Sequence, residues 1–260
     1  MEKKTERGIV YLVTAATAGL FEVSYKSFKE NIKKETPVFV ITEVEIKAEG
    51  AKVIRVPAGR ADIFGVPSYV KGFDKLMVVR PTVFFDSDPL KAFGLSRPGV
   101  VVSGVRHPLL CTGEFKDYVK KHLFEKCENF ISSELVVIDV DGFKAKMLAE
   151  KYNAFPADEK KAFADPEEDL LNILAGTGCG IMPECVLAVP GKSVLYPVAV
   201  SYRYSGRPWE HPAAEYADIY ERYASDSAPE IKLQSLKSIC ENYKNKMKVA
   251  SSVMGLAYAM

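Results

Sequence analysis

The sequence lacks a long apolar run, and it carries almost no net charge. No stretch approaches the roughly 20 apolar residues of a membrane-spanning helix. A net charge of +1 gives no overall field that would attract nucleic acid. The apolar run at residues 9–13 is too short and wrongly flanked for a signal peptide. We therefore expect a cytoplasmic globular protein with no nucleic-acid partner.

Cysteine and histidine are also scarce. The five cysteines are odd in number and scattered, and none of their spacings matches a zinc site. Among the three histidines, His211 has no second ligand at a metal-binding spacing, and His107 and His122 belong to no motif. These features favour reduced thiols in a reducing compartment and give no support for a zinc centre.

Apolar runs of strand length alternate with segments of helix length along most of the chain. The predicted strands lie at residues 9–13, 37–41, 52–56, 76–85, 99–103, 134–140 and 198–201. The predicted helices lie at residues 18–33, 61–72, 89–94, 114–127 and 142–151, and from Pro166 to a glycine-rich terminating loop at 176–180. This order predicts an α/β fold with a mostly parallel central sheet flanked by helices. In such sheets a ligand lies at the carboxyl ends of the strands.

The last part of the chain differs from the rest. We assign residues 1–225 to one domain and residues 226–260 to a C-terminal basic amphipathic helix, because an apolar stripe at helical spacing over 233–247 is surrounded by lysines. Such a helix either packs on the domain or makes a peripheral contact with an anionic membrane surface.

Five short motifs, taken together, carry a family resemblance. They are a first strand with its loop and helix at 9–27, a broken strand at 74–90, an apolar strand at 135–140, an acidic helix start at 167–172, and a closing element at 197–209. Their order and spacing resemble glycosyltransferase family 8, which includes glycogenin and bacterial lipooligosaccharide galactosyltransferases. The resemblance implies a GT-A fold, a nucleotide-sugar donor, a saccharide or glycolipid acceptor, and transfer of a hexose. Homo-oligomerisation is a further expectation.

The chain departs from the family at the residues that hold the metal and the nucleotide. In the ungapped alignment the two metal-binding aspartates fall on Arg80 and Thr82, and the metal-binding histidine falls on Tyr202 or Arg203. The phosphate-binding lysine becomes Arg207. The first loop, residues 14–18, holds no acid. The resemblance therefore predicts nucleotide or phosphate contacts at Thr14, Ala15, Thr82, Gly206 and Arg207.

Arginine can take over part of the role of a metal. A guanidinium group is permanently charged and binds phosphate oxygens with two parallel hydrogen bonds. If the ungapped alignment is right, Arg80, Arg203 and Arg207 approach one another, and a diphosphate leaving group is stabilised without a cofactor.

Three carboxylates complete the candidate catalytic set beside Arg80 and Arg203. Glu134, at the start of an apolar strand, is a candidate acceptor contact or nucleophile. Glu168 and Asp169 are candidates for orienting the acceptor. Each has an ordinary alternative, because Glu134 is equally well a carboxylate at the rim of the sheet, and acids in the first turn of a helix need no function.

Two alternatives stay open. In a shifted alignment Asp86 and Asp88 form the Asp-x-Asp pair and hold Mn²⁺ or Mg²⁺, although Asp88 also suits a cap for the helix opened by Pro89. The second alternative is a catalytically inactive GT-A-fold protein that binds a ligand or regulates a partner transferase.

Overall fold

The structure is a computed structural model that describes residues 6–111, 117, 129–192, 194–204 and 206–224. The strands are β1 Arg7–Val13, β2 Val38–Thr42, β3 Lys52–Arg55, β4 Lys75–Val79, β5 Val83–Phe85, β6 Val102–Arg106, β7 Ile131–Asp139, β8 Cys179–Met182, β9 Leu187–Ala188 and β10 Ala199–Ser201. The helices are α1 Ala18–Asn31, α2 Val66–Tyr69, α3 Lys91–Leu95, α4 Val140–Ala145, α5 Leu148–Ala154, α6 Ala157–Lys160, α7 Pro166–Ala175 and α8 Ala217–Ala224. Short 3₁₀ turns lie at Pro108–Cys111, Gly176–Gly178 and Glu184–Val186.

The predicted mostly parallel sheet is confirmed. Its order is β3-β2-β1-β4-β7-β6-β8, and only β7 runs antiparallel to its two neighbours. A small sheet of β5, β10 and β9 stands beside it. The central strands are fully buried, as expected for strands covered on both faces. Val10 and Leu12 pack into one core cluster, and Ile9 and Tyr11 pack against α1 in the other.

Several predicted boundaries were wrong, for local reasons. The predicted helix at 61–72 shrinks to α2, because Pro67 fits only the first turn of a helix. The predicted helix at 142–151 is two helices, α4 and α5, separated by Met147 in the left-handed conformation at φ 54°. The helix after Pro89 begins only at Lys91. The strand predicted at 99–103 begins at Val102, and the predicted loop at 176–180 contains the start of β8.

Two predictions fall on residues that the structure does not describe, apart from residue 117: the helix at 114–127 and the basic C-terminal helix at 226–260. The longest α-helix that the described ranges contain, α1, has 14 residues. Within those ranges, no helix combines the length and the apolar character needed to cross a bilayer.

The strand order creates a crevice at one edge of the sheet. β1 pairs with β2 on one side and with β4 on the other. The chain therefore adds β2 and β3 on one side of β1 and then crosses to the other side to add β4. Loops diverge at such a switch point and leave a ligand-sized opening beyond the carboxyl ends of the strands. Because β7 runs in the opposite direction, its first residues meet the end of β4. The Arg80 amide accordingly donates to the Glu134 carbonyl oxygen at 2.9 Å.

Candidate functional site

A cleft of about 500 Å³ opens at this switch point. Its lining comes from the loop after β1, the end of β4, the start of β7, the start of α7 and the segment after β10. Arg80, Arg203 and Arg207 all contribute to it. Residues far apart in sequence therefore converge where the strand order places a ligand.

Arg203 bridges two carboxylates across the cleft. One nitrogen of its guanidinium, Nη1, donates to Glu134 Oε1 at 2.7 Å, and the other, Nη2, pairs with Asp165 Oδ2. The arginine side chain is 31% exposed, whereas that of Glu134 is 2% exposed. The guanidinium therefore provides the positive charge that a buried Glu134 carboxylate needs.

The Glu134 carboxylate is held by hydroxyl groups on its other oxygen. Oε2 accepts from Thr82 Oγ1, and from Ser201 Oγ at 3.2 Å. Thr82 lies just before β5 and Ser201 ends β10, so the small sheet fixes both donors. These two donors fix the orientation of the carboxylate in the wall of the cleft.

Arg80 lies deeper, with 8% of its surface exposed. Its Nη2 pairs with Glu167 Oε1, and its Nη1 donates to the Ala61 carbonyl oxygen at 3.5 Å. Among the described residues, its Nε has no hydrogen-bond partner. Burial lowers the pKa of Arg80, but the charges of Glu167 and Glu134 outweigh burial, and the net shift is upward. Arg80 is therefore a fixed positive charge in the wall of the cleft.

Glu168 lies behind the cleft in a buried polar network. Its Oε1 accepts from His107 Nε2 at 2.9 Å, and its Oε2 accepts from the amide and hydroxyl groups of Ser133 and from the Tyr204 hydroxyl at 2.6, 2.9 and 2.9 Å. His107 Nδ1 accepts the Leu109 amide at 3.2 Å, which orients the ring so that Nε2 faces Glu168. Burial raises the pKa of Glu168, but the hydrogen bonds from His107 and Ser133 outweigh it and lower the pKa overall.

Asp169 is also buried and away from the lining of the cleft. Its Oδ2 accepts the Asp165 amide at 3.2 Å, while Asp165 Oδ1 accepts the Glu168 amide at 3.2 Å. The two aspartates close the first turn of α7, as a capping box does. Of the three candidate catalytic carboxylates, the structure thus brings only Glu134 into the cleft.

The predicted nucleotide contacts are only partly brought together. Thr14 and Thr82 line the cleft, and the Ala15 amide donates to Glu43 Oε2 at 3.3 Å. Arg207 lies at the rim and pairs with Glu210 at 3.1 Å. Gly206 has φ 62°, and a Cβ at that position would overlap the Pro190 ring, so its role here is to place the segment that carries Arg207.

The residues of the shifted alignment lie elsewhere. Asp86 Oδ1 pairs with Arg222 of α8 at 2.8 Å, and Asp88 Oδ1 accepts the Leu90 amide at 3.1 Å, in a turn that precedes α3. Within the described ranges, no group of three His, Cys, Asp or Glu side chains is arranged to hold a metal ion. The cleft carboxylates do not fit a divalent cation either, because Glu134 and Asp165 are already bound to Arg203.

Five residues at or beside the cleft were not among the predicted site residues. Asp165 and Glu167 bind the two inner arginines, and Trp209 lines the cleft together with Leu20. Glu43, after β2, accepts the amides of Ala15 and Gly59 and so joins two loops at the rim. The acidic start of α7 was visible in the sequence. Its pairing with arginines was not, because the partners are distant along the chain.

Comparisons with known proteins give the fold. No family model matches the sequence, and no curated protein matches it. Among solved structures, the galactosyltransferase LgtC in complex with donor and acceptor sugar analogs has a TM-score of 0.69 at 15% identity, with 88% of this chain and 99% of that chain covered.

Two further solved structures are longer than this chain. The bifunctional glycosyltransferase WbbM has a TM-score of 0.69 at 11% identity, with 92% of this chain and 52% of that chain covered. The glycosyltransferase GlyE of Streptococcus pneumoniae TIGR4 has a TM-score of 0.65 at 12% identity, with 91% and 65% covered. This chain therefore spans about half of WbbM and nearly all of LgtC. The chain has the α/β fold of GT-A glycosyltransferases.

Proposed function

We propose that this chain is a glycosyltransferase that moves a hexose from a nucleotide-sugar to a saccharide acceptor without a metal ion. The observation that carries the proposal is the convergence of Arg80, Arg203 and Arg207 on one cleft at the switch point of a GT-A sheet. In that fold the opening beyond β1 and β4 is where a nucleotide ligand is expected.

The three arginines differ in exposure and so have different roles in stabilising the diphosphate. Arg203 and Arg207 reach open space and are placed to bind the diphosphate as it leaves the sugar. Arg80, buried behind them, adds a fixed positive charge that needs no reorganisation during the reaction. Glu134 orients Arg203. Thr14, Thr82 and Leu20 shape the donor side of the cleft, and Trp209 offers an apolar face.

A metal-independent site makes a direct prediction for chelation. We expect the protein to hydrolyse or transfer from a nucleotide-sugar at the same rate before and after EDTA treatment, because arginine supplies the charge. Release of the nucleoside diphosphate from a panel of nucleotide-hexoses is the measurement. A rate that disappears with EDTA and returns with Mn²⁺ would contradict the arginine site.

In the shifted alignment Asp86 and Asp88 hold a metal ion, so changing these two residues would abolish turnover. The arginine site predicts that the same change has little effect. We expect the double change Asp86→Asn, Asp88→Asn to leave turnover within about twofold of the unmodified rate, since neither side chain lines the cleft. Thermal unfolding controls for the loss of the Arg222 pair. A drop of more than tenfold in turnover, with the fold intact, would restore the metal hypothesis.

A second candidate function is ligand binding without catalysis. The observation that favours it is the pairing of Arg80 and Arg203 with three carboxylates, so that these described residues leave the inner cleft without a surplus of positive charge. A nucleoside diphosphate must then displace Asp165 from Arg203 before it can bind there. Binding of the diphosphate without turnover of any nucleotide-sugar, with or without added acceptor, would support this candidate over the first.

A further inference from the structure

A second cavity lies on the other side of the wall that bounds the cleft. Its volume is about 510 Å³, close to that of the cleft, and it opens between the segment 60–69 and helices α4 and α5. Cavities that bind small molecules typically measure about 300–1,000 Å³. None of the residues assigned above to the candidate reaction lines this cavity.

The floor of the cavity is aromatic. Phe64 and Phe143 are buried beneath it, and the ring of Phe64 stacks on Tyr152 with centroids 4.0 Å apart. Tyr69 is half-buried and adds a third ring to the lining. An amphipathic ring at an open cavity offers an apolar face and a polar hydroxyl group to the same ligand.

Local hydrogen bonds hold the tyrosine side of the cavity in place. Asp62 Oδ1 accepts the Gly65 amide at 2.8 Å, and the Ser68 hydroxyl donates to the Gly65 carbonyl at 2.7 Å. A Cβ on Gly65 would come within 2.9 Å of the Tyr69 ring. The ring therefore lies directly on the glycine, so its position depends on the absence of a side chain there.

The rim carries balanced charge. Arg60 and Lys144 contribute two positive charges, Asp62 and Glu150 contribute two negative charges, and Asn153 adds an exposed amide. A balanced rim does not select an anion or a cation. It does offer many donors and acceptors together, which suits a ligand rich in hydroxyl groups, since each hydroxyl both donates and accepts.

From these features we infer that this cavity, defined here as the Tyr69 pocket, is a binding site for an uncharged saccharide. A hexose ring presents an apolar face of C–H groups to an aromatic ring and hydroxyl groups around its edge, which matches the half-buried Tyr69 ring beside a mixed polar rim. A phosphate or nucleotide would require a surplus of positive charge, and a lipid tail would not be matched by four charged side chains.

The segment 61–63 separates the two cavities and contacts residues of the cleft. The Ile63 amide donates to Glu167 Oε1 at 2.7 Å, and Ala61 accepts from Arg80. The segment 61–63 thus contacts residues of the cleft directly and leads into the Tyr69 pocket. We assign the bound saccharide as a remote part of the acceptor chain. That assignment rests on the proposed function, whereas saccharide binding itself does not.

Calorimetric titration of the full chain with neutral oligosaccharides of two to six hexoses tests the site. We expect Tyr69→Ala to weaken binding about tenfold through loss of the ring face, and Asn153→Ala, at an exposed position in α5, to weaken it less. Tyr196→Ala is the matched control, because Tyr196 is 91% exposed and lies outside both cavities. Both Tyr69→Ala and Asn153→Ala are expected to bind a nucleoside diphosphate as the unmodified chain does.

Three results would overturn the inference: no neutral oligosaccharide binds, Tyr69→Ala and Asn153→Ala both bind as tightly as Tyr196→Ala, or inorganic phosphate displaces the saccharide. A different pattern separates this site from the proposed function. Saccharide binding that depends on Tyr69, in a chain that turns over no nucleotide-sugar, would retain the site and remove only its role in holding an acceptor.

Discussion

The Glu168→Gln variant is expected to lose about 3 kcal/mol of unfolding free energy at neutral pH. The carboxylate accepts hydrogen bonds from His107, Ser133 and Tyr204, and it is 2% exposed. Glutamine has the same shape, but its amide group would turn a donor toward donors that are already buried. Urea denaturation followed by circular dichroism measures the change.

The same group predicts an acid dependence of stability. The pKa of Glu168 is lowered in the folded state, so its contribution is present above its unfolded value, about 4.3, and is lost as the pH falls through the lower folded value. The unmodified chain should therefore lose more stability below about pH 4 than Glu168→Gln does. The two stability curves are expected to converge in acid.

A matched control is available at Glu210, which is half-exposed and pairs with Arg207 at the rim. Glu210→Gln is expected to change stability by less than about 0.5 kcal/mol at any pH. If Glu168→Gln behaves like this control, the buried network does not hold an ionised carboxylate.

The second large effect concerns activity. We expect Arg203→Met to lower the turnover of nucleotide-sugar by about 10²–10³-fold, the loss typical for a positioned charge at a leaving group. Arg203→Lys is expected to recover only part of that loss, because an ammonium group cannot bridge Glu134 and Asp165 as a planar guanidinium does. The ratio kcat/KM with a saturating acceptor is the measurement.

Loss of stability must be separated from loss of activity in this variant. Removing Arg203 leaves the Glu134 carboxylate buried without its cation, which costs roughly 3–5 kcal/mol when a buried pair is broken. The double variant Arg203→Met, Glu134→Gln is therefore expected to be more stable than Arg203→Met alone while staying inactive. A double variant that regains activity would show that Arg203 serves only to neutralise Glu134.

The strands of the sheet were predictable because each is a short apolar run between polar segments. β1 and β7 were found at nearly their observed positions, and the covering of both faces followed from their continuous apolar character. The predicted ends of helices were wrong where the backbone conformation of single residues, and not the local composition, ends the helix. Met147, which separates α4 from α5, adopts a left-handed backbone conformation that its side chain does not predict.

Only the site residues that belong to local sequence motifs could be predicted. Alignment with a related pattern placed Arg80 and Arg203, and both line the cleft. It could not reveal that each would have a carboxylate partner, since Glu167 and Asp165 lie far from them in sequence and meet them only through the fold. The contact of His107 with Glu168 could not be predicted for the same reason. His107 belongs to no sequence motif, and only the fold brings it beside the buried Glu168 carboxylate.

The glycine at position 206 sets a limit on how the cleft can be redesigned. Its backbone is left-handed, and Pro190 fills the space that a side chain would occupy. Libraries that aim to alter substrate preference should keep this position constant and diversify Arg207 and Trp209 instead. A larger residue at 206 would move the whole stretch that follows, and any change in preference would then be inseparable from a general misplacement of that stretch.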